Sequence, residues 1–311
     1  MIYILLSAYN GSEFIEDQIE SIFKQTYQNF KIICRDDGST DDTCQIIQEL
    51  MKKYEHIELV VGENIGIIKS FFSLLMMAAN RPDCDYVALC DQDDVWLPEK
   101  LQEAIDHLQK YAVTRPVLYA CRYISVDSHL VEMNPDAAKA LMYRPAFENA
   151  IVQNIITGCC AVMNRELLNM VLSKITALND ADLIMHDWWL YLVATVFGEV
   201  IYNSHPGLLY RQHGHNASGG VSTNRWFARI KRGLKRTEGV RLQKQIQQFL
   251  QVYEHDLSQD QLAVIMQFLK IANTHSFFSR LVSIFKLRVF RQKHLDNMIL
   301  KVMLLFRMYG V

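Results

Sequence analysis

Four largely apolar stretches of five residues, at positions 2–6, 30–34, 57–61 and 86–90, punctuate the first hundred positions. Each reads as a strand, and the unbroken runs 2–6 and 86–90 fit strands covered on both faces. A polar stretch follows every run: Ser7-Ala8-Tyr9-Asn10-Gly11, then Arg35-Asp36-Asp37-Gly38-Ser39-Thr40-Asp41-Asp42, then Asn64-Ile65-Gly66, then Asp91-Gln92-Asp93-Asp94. Helical spacing comes next. Phe14, Ile15, Ile19, Ile22 and Phe23 fall on one helix face, with Ser12 expected as its cap. Ser39-Thr40-Asp41-Asp42 resembles a capping box opening a helix through Ile46, Ile47 and Leu50. An apolar helix runs through Phe72 and Leu75, and Pro98-Glu99-Lys100-Leu101 has a proline-first helix start. Alternating strands and helices joined by short loops predict an α/β fold, with a mostly parallel sheet, right-handed crossovers and helices on both faces. The polar clusters then gather at the carboxyl edge of the sheet, where open α/β sheets bind ligands.

The rhythm changes after Tyr111. Residues 117–121 and 123–126 read as two strands, 127–144 as a variable loop region, and 154–163 as a strand leading into a helix at Arg165. His186-Asp187-Trp188-Trp189 opens a further helix, 200–202 is a strand, and Leu208-Leu209-Tyr210-Arg211-Gln212-His213 closes the section. The Gly- and Ser-containing stretch 214–222 marks a domain boundary. Beyond it lie helical patterns at 242–253 and 262–272 and a basic, Phe-rich segment from 277 to 308, with no internal repeat.

Composition changes the picture in two places. The 311 residues are half hydrophobic with net charge −2, which suits an enzyme of one large domain or two smaller ones. That total conceals an asymmetry: from Arg225 onward there are 16 Lys and Arg against 5 Asp and Glu, so a basic tail follows an acidic body. Such a tail suggests an anionic partner surface. The seven cysteines form no C-x-x-C pair and sit largely in apolar runs, so they read as reduced core residues of a cytoplasmic protein. Residues 1–6 lack a basic leader region, and no run approaches the roughly 18 apolar residues of a spanning helix.

The stretch Asp91-Gln92-Asp93-Asp94 carries the candidate chemistry. In extended backbone Asp91 and Asp93 share a face while Gln92 turns away. Two close carboxylates repel unless a cation lies between them. A hard divalent ion, Mn2+ or Mg2+, carrying a diphosphate fits such a pair. As a bare D-x-D, the same pattern also suits a solvated loop and helix cap.

Taken in order, Ser7-Ala8-Tyr9-Asn10, Arg35-Asp36-Asp37-Gly38-Ser39-Thr40-Asp41, Asn64-Ile65-Gly66, Asp91-Gln92-Asp93-Asp94-Val95-Trp96, Thr157-Gly158-Cys159, His186-Asp187-Trp188-Trp189 and Tyr210-Arg211-Gln212-His213 closely resemble family 2 glycosyltransferases of the GT-A fold. The D-Q-D-D-x-W, H-D-W-W and Y-R-Q-H forms are most similar to the bacterial branch that includes rhamnosyltransferases of surface-polysaccharide assembly. The resemblance covers residues 1–216, and implies a nucleotide-binding half (1–100), an acceptor half (101–216) and a basic helical region at 217–311.

It also implies roles. Ser7, Ala8 and Tyr9 would border the donor, with the Tyr9 ring stacking on a nucleobase. Asp36 or Asp37 would accept the base N–H, Asp37 being favoured, and Asn64 and Gly66 would line the nucleotide loop. Asp93 would bind the metal, Asp91 the ribose or the metal's water shell, and His213 (or His215) would complete the metal site or touch the diphosphate. Arg211 suits a diphosphate by bidentate bonding. Asp187 would take the acceptor hydroxyl's proton, Trp188 and Trp189 would form an acceptor platform of which one member is core, and Thr157 and Gly158 would border the acceptor. The implied reaction is an inverting transfer of a sugar, L-rhamnose among the candidates, from a dTDP- or UDP-sugar to a hydroxyl of a glycan or lipid-linked acceptor. A nucleotidyltransferase would want a glycine-rich, arginine-containing loop after the first strand, which 7–11 does not supply. A catalytically silent nucleotide-sugar-binding scaffold module remains the alternative of another class.

Phe277, Phe278, Leu281, Ile284 and Phe285, interleaved with Arg280, Lys286 and Arg288, leave two readings of the tail. One is peripheral contact with an anionic membrane surface, at the inner face of the cell membrane. The other is packing on the catalytic domain or on a second subunit of a homodimer. No recognition motif supports nucleic-acid binding.

Overall fold

A computed structural model describes residues 1–111, 114–133, 142–214 and 236–309. The expected boundary at 216/217, His215 and positions 134–141 of the expected variable loop lie outside the described residues. The chain forms two compact units, Met1–Met142 with Ile156–Ser173 and Phe197–Val221, and Tyr143–Ile155 with Lys174–Val196 and Ser222–Val311.

The first unit is built on one sheet with strands β1 (Ile2–Ala8), β2 (Phe30–Asp36), β3 (Ile57–Val61), β4 (Tyr86–Cys90), β5 (Val95–Trp96), β6 (Val117–Val126), β7 (Ala161–Asn164) and β8 (Glu199–Arg211). Their order is β3-β2-β1-β4-β7-β6-β8-β5. β1 pairs in parallel with both β2 and β4, and Ile2, Ile4, Leu5 and Leu6 are wholly buried, as the unbroken apolar runs predict. Helices Ile15–Phe23 and Thr43–Lys53 pack on each other, and helix Ile67–Ala79 packs on Arg165–Leu172. The chain steps from β1 outward to β3 and then returns to place β4 on the other side of β1. A switch point therefore opens between the carboxyl ends of β1 and β4.

Beyond β4 the sheet is mixed, because β7 runs antiparallel to both β4 and β6. The two strands expected at 117–126 are one, with the register against β8 shifting on either side of Arg122. Arg122 interrupts the apolar pattern yet stays within the ladder as an irregularity. Likewise the short strand expected at 200–202 is part of a longer one, β8, which runs on through Pro206 and Gly207. The strand expected from 154 shrinks to β7, since Gly158–Cys160 winds into a 3-10 turn.

Two expected caps are replaced. Helix Ile15–Phe23 starts without a side-chain cap, and the Ser12 N–H donates instead to Asp41 Oδ2 at 3.1 Å. Asp41 also accepts from the Thr43 N–H at 3.1 Å, so the loop after β2 bonds to the loop after β1 and no capping box forms.

The second unit contains helices His186–Phe197 (to Val196), Arg236–Tyr253, Gln259–Asn273, Phe277–Phe285 and His294–Leu305. Its core is aromatic: fully buried Trp189 meets Phe249 edge-on at 5.5 Å, and Phe249 lies 5.1 Å from Tyr253. Among the described residues no helix is long and apolar enough to cross a membrane. All seven cysteines are free, and all but Cys44 are buried.

Candidate active site

The loops after β1, β2 and β4 meet at the switch point, and side-chain to backbone bonds hold them together. Gln92 does not turn away. Its Oε1 accepts the Tyr9 N–H at 2.7 Å and its Nε2 donates to the Tyr9 carbonyl at 3.0 Å, so one amide side chain extends the β1–β4 ladder by a rung. Tyr9 is thereby fixed at its backbone while its ring stays half exposed. Ser7 shares a 2.7 Å hydroxyl bond with Ser70, and fully buried Ala8 offers only its carbonyl, which accepts the Asp37 N–H at 2.7 Å.

Asp36 and Asp37 are both buried but differently engaged. Asp37 is ion-paired with buried Arg35 and accepts the backbone N–H groups of Ile65 and Gly66, each at 2.9 Å. This fastens the 64–66 loop to the end of β2. Gly66 has φ +83°, a conformation that strains any side-chain-bearing residue. Gly38, at φ +80°, would also drive a Cβ to 2.8 Å from the Asn64 nitrogen. Asn64 itself is exposed. Asp36 Oδ2 accepts from Gly38 and Ser39 at 3.2 and 3.0 Å, whereas its Oδ1 is buried and meets no nitrogen or oxygen donor. The Cys44 thiol lies beside this carboxyl and is pushed up to about 11 by burial and by Asp36. Asp36 thus keeps one buried oxygen with no nitrogen or oxygen donor, beside the Cys44 thiol, whereas both oxygens of Asp37 accept backbone N–H groups.

The acidic stretch after β4 bends. Among the described residues, the set of three whose ligand atoms lie within 4.8 Å of one another is Asp91, Asp94 and Cys159. Asp94 is fully buried; it accepts the Arg211 N–H at 3.1 Å through Oδ1, and Oδ2 has no nitrogen or oxygen donor. Burial first, then the charges of Asp93 and Asp91, holds the Asp94 carboxyl well above the usual carboxylate range, with the Cys159 thiol beside it. An orphaned buried oxygen next to a second carboxylate fits a divalent cation, and the thiol adds a softer donor than Mg2+ prefers.

Asp93 instead meets His213, Nε2 to Oδ2 at 2.8 Å, and the His213 ring rests 4.8 Å from Phe14. Of the expected ligands, Asp91 groups with Asp94 and Cys159, and Asp93 is bonded to His213 from the end of β8. Arg211 is enclosed by protein partners. Its guanidinium donates to the Asp93 carbonyl at 2.9 Å, the Ser128 carbonyl at 2.7 Å and Asp17 Oδ2 at 3.0 Å, and lies over the Phe14 ring. The expected diphosphate ligand serves here as a brace between the β4 loop, the β6 loop and the first helix.

Thr157 leads into the Gly158–Cys160 turn, and its carbonyl accepts the Cys160 N–H at 2.9 Å. That turn carries Cys159 to the acids. Behind it, buried Lys100 donates to the Cys159 carbonyl at 2.6 Å and sits 3.1 Å from the centre of the Trp96 ring. Gln92, Asp94, Lys100 and Cys159 were not singled out as site residues from the sequence. Asp94 and Cys159 stand inside quoted motifs, whereas Lys100 had no signal beyond its place at a helix start.

Asp187, Trp188 and Trp189 belong to the second unit. Asp187 is buried in the first turn of helix His186–Phe197, where the helix dipole favours a carboxylate. Trp188 is partly exposed and its indole N–H donates to the Ala150 carbonyl at 2.7 Å. Trp189 is the core member of the pair, and its fully buried ring has no face left for a sugar. Burial lowers the neighbouring His186 to about 3.

This arrangement has known counterparts. A dTDP-rhamnosyl transferase, RfbG of Shigella flexneri, is 28% identical over 243 residues, covering 71% of this chain and 80% of that protein. The Escherichia coli UDP-Glc:alpha-D-GlcNAc-diphosphoundecaprenol beta-1,3-glucosyltransferase WfgD is 26% identical over 171 residues, covering 54% of this chain and 62% of that protein. Among solved structures, the mannosyltransferase PcManGT from Pyrobaculum calidifontis, in complex with GDP-Man and Mn2+, aligns with a TM-score of 0.55 at 17% identity, covering 91% of this chain and 72% of that one. The fold is thus the α/β GT-A type with a helical C-terminal region. A family model described as glycosyl transferase family 2 matches residues 3–172, more than half of the chain, and the chain belongs to that family.

Proposed function

We propose that this glycosyltransferase moves a sugar, L-rhamnose first among the candidates, from a dTDP- or UDP-sugar to a hydroxyl of a growing bacterial surface glycan, with inversion. The observation that carries the reading is the switch point itself. The half-exposed Tyr9 ring, the Asp36 carboxylate and the Asp91–Asp94 pair all stand at the carboxyl ends of β1, β2 and β4. The names of RfbG, a dTDP-rhamnosyl transferase, and of WfgD, a glucosyltransferase acting on a diphosphoundecaprenol-linked sugar, support the donor class and a lipid-linked glycan acceptor.

In this reading the Tyr9 ring stacks on the nucleobase, whose ring N–H donates to the β2-end carboxylate pair. Asp91 and Asp94 would hold a divalent cation, which would supply positive charge to offset that of the departing diphosphate. The Asp93–His213 pair and the Arg211 brace keep the acidic loop in shape. Asp187 takes the acceptor hydroxyl's proton as the new glycosidic bond forms at the anomeric carbon and the bond to the diphosphate breaks. Trp188 offers the acceptor sugar an aromatic edge.

Hydrolysis of a panel of nucleoside-diphosphate sugars, with and without Mn2+, identifies the donor, and the L-rhamnose donor is expected to be consumed fastest. Asp187→Asn is expected to cut transfer by roughly a hundredfold to ten-thousandfold while donor affinity stays nearly unchanged. Full activity in chelator removes the cation from the reading. Donor binding without turnover on any acceptor would favour the silent scaffold module.

A further inference from the structure

We infer that the exposed face of helices Phe277–Phe285 and His294–Leu305 docks on an anionic lipid bilayer. Phe278, Val282 and Phe285 recur at helical spacing and form one outward stripe, with Phe278 77% and Phe285 83% exposed. Met298, Val302 and Phe306 form a second stripe on the neighbouring helix, which packs against the first. The stripes join, since the Phe277 ring lies 5.9 Å from Phe278 and 6.3 Å from Phe306. Arg280 makes this display rigid. Its guanidinium is turned inward, donating to the carbonyls of Leu305, Thr274 and His275, so the Phe side chains stand on a fixed scaffold.

A joined stripe of exposed phenylalanines marks an interaction surface, because water does not favour it. Charge decides the occupant. Residues 277–309 hold seven Lys and Arg against one acid, Asp296, which is buried. Lys270, Lys286 and Lys301 are exposed and have no carboxylate partner among the described residues. Lys270 and Lys286 also line a groove of about 920 Å³ whose wall includes Leu250, Met266 and one acid, Glu254, so two cations face a single carboxylate there. A second copy meeting this face across a two-fold axis would set the same cations against each other. An anionic bilayer takes up the phenylalanines and neutralises the lysines together. The inference concerns the second unit's own surface and holds whichever sugar is transferred.

Co-sedimentation of the full chain with vesicles tests it, without any substrate. The vesicles are phosphatidylcholine alone or an equimolar mixture with phosphatidylglycerol. The chain is expected to sediment with the phosphatidylglycerol vesicles only, and to be released by high salt. Phe278→Ser with Phe285→Ser is expected to weaken partitioning roughly tenfold to a hundredfold, and Lys270→Glu with Lys286→Glu by roughly tenfold or more, with melting curves unchanged. Absence of binding, equal binding to phosphatidylcholine alone, or a solution dimer that the Phe substitutions dissociate would each overturn the inference. Should the Phe variant fail to fold, the exposed Lys variant and the salt dependence of the unaltered chain decide it.

Discussion

His213 Nε2 stands 2.8 Å from Asp93 Oδ2, although 120 positions separate them in the chain. The two-residue strand β5 makes this contact. Val95 pairs with Leu209 and Trp96 with Leu208, antiparallel, so the residues just before β5 lie opposite those at the end of β8. A hydrogen bond to a charged group contributes about 1.5–3 kcal/mol. Asp93→Asn and His213→Gln are each expected to lower turnover about tenfold. The double variant should be little worse than the poorer single one, a non-additivity that a double-mutant cycle on initial rates would read.

Gln92→Ala removes both bonds that fix the Tyr9 backbone. At about 1 kcal/mol for each bond, the donor KM is expected to rise roughly fivefold to thirtyfold, with kcat changing less. Equal losses in KM and kcat would mean that Gln92 acts on the chemical step. Steady-state kinetics over a range of donor concentrations separates the two.

Burial and the neighbouring acids hold the Asp94 carboxyl well above the usual carboxylate range, and the sign of its effect follows from that. Its folded-state pKa is raised, so the unfolded chain releases this proton first. Stability is therefore lost as pH climbs above the ordinary carboxylate range toward the raised value. Asp94→Asn is expected to raise the melting temperature at neutral pH by a few degrees (about 1 kcal/mol is a few degrees for a chain of this size). The same change should shrink the melting-temperature gain produced by Mn2+. A variant that keeps the full Mn2+ gain would take Asp94 out of the candidate cation site.

His186 predicts the opposite slope. Burial depresses it to about 3, so the unfolded state binds a proton near pH 6.5 that the folded state refuses. Its contribution is intact above the unfolded value and declines by about 1.4 kcal/mol per unit as pH falls from there toward 3. Thermal melts between pH 7 and 5 should show this decline, and His186→Gln should flatten it.

Much of the first unit was readable because strands covered on both faces leave continuous apolar runs, as β1 and β4 do, while the edge strand β3 is only partly covered. The ends of those strands were readable too, since polar stretches must leave the sheet where the runs stop. Less visible was the behaviour of Ser12 and Asp41, whose cap-like spacing suited their own helices. Their bonds go to each other's loops, contacts whose worth depends on two segments already being adjacent.

The chain's own order of residues determined the α/β alternation, the edge of the sheet that bears the acids, and the family motifs. Tertiary structure decided what each carboxylate meets: Asp37 bonds the 65–66 backbone, Asp94 groups with Asp91 and Cys159, and Asp93 pairs with His213. It also set β7 antiparallel and put Trp189 in the core while Trp188 stayed partly exposed. Periodicity specifies a face only while the backbone is regular. At a bend such as 91–94, the direction of each carboxylate is chosen by partners far away in the chain: Arg211, His213 and Cys159.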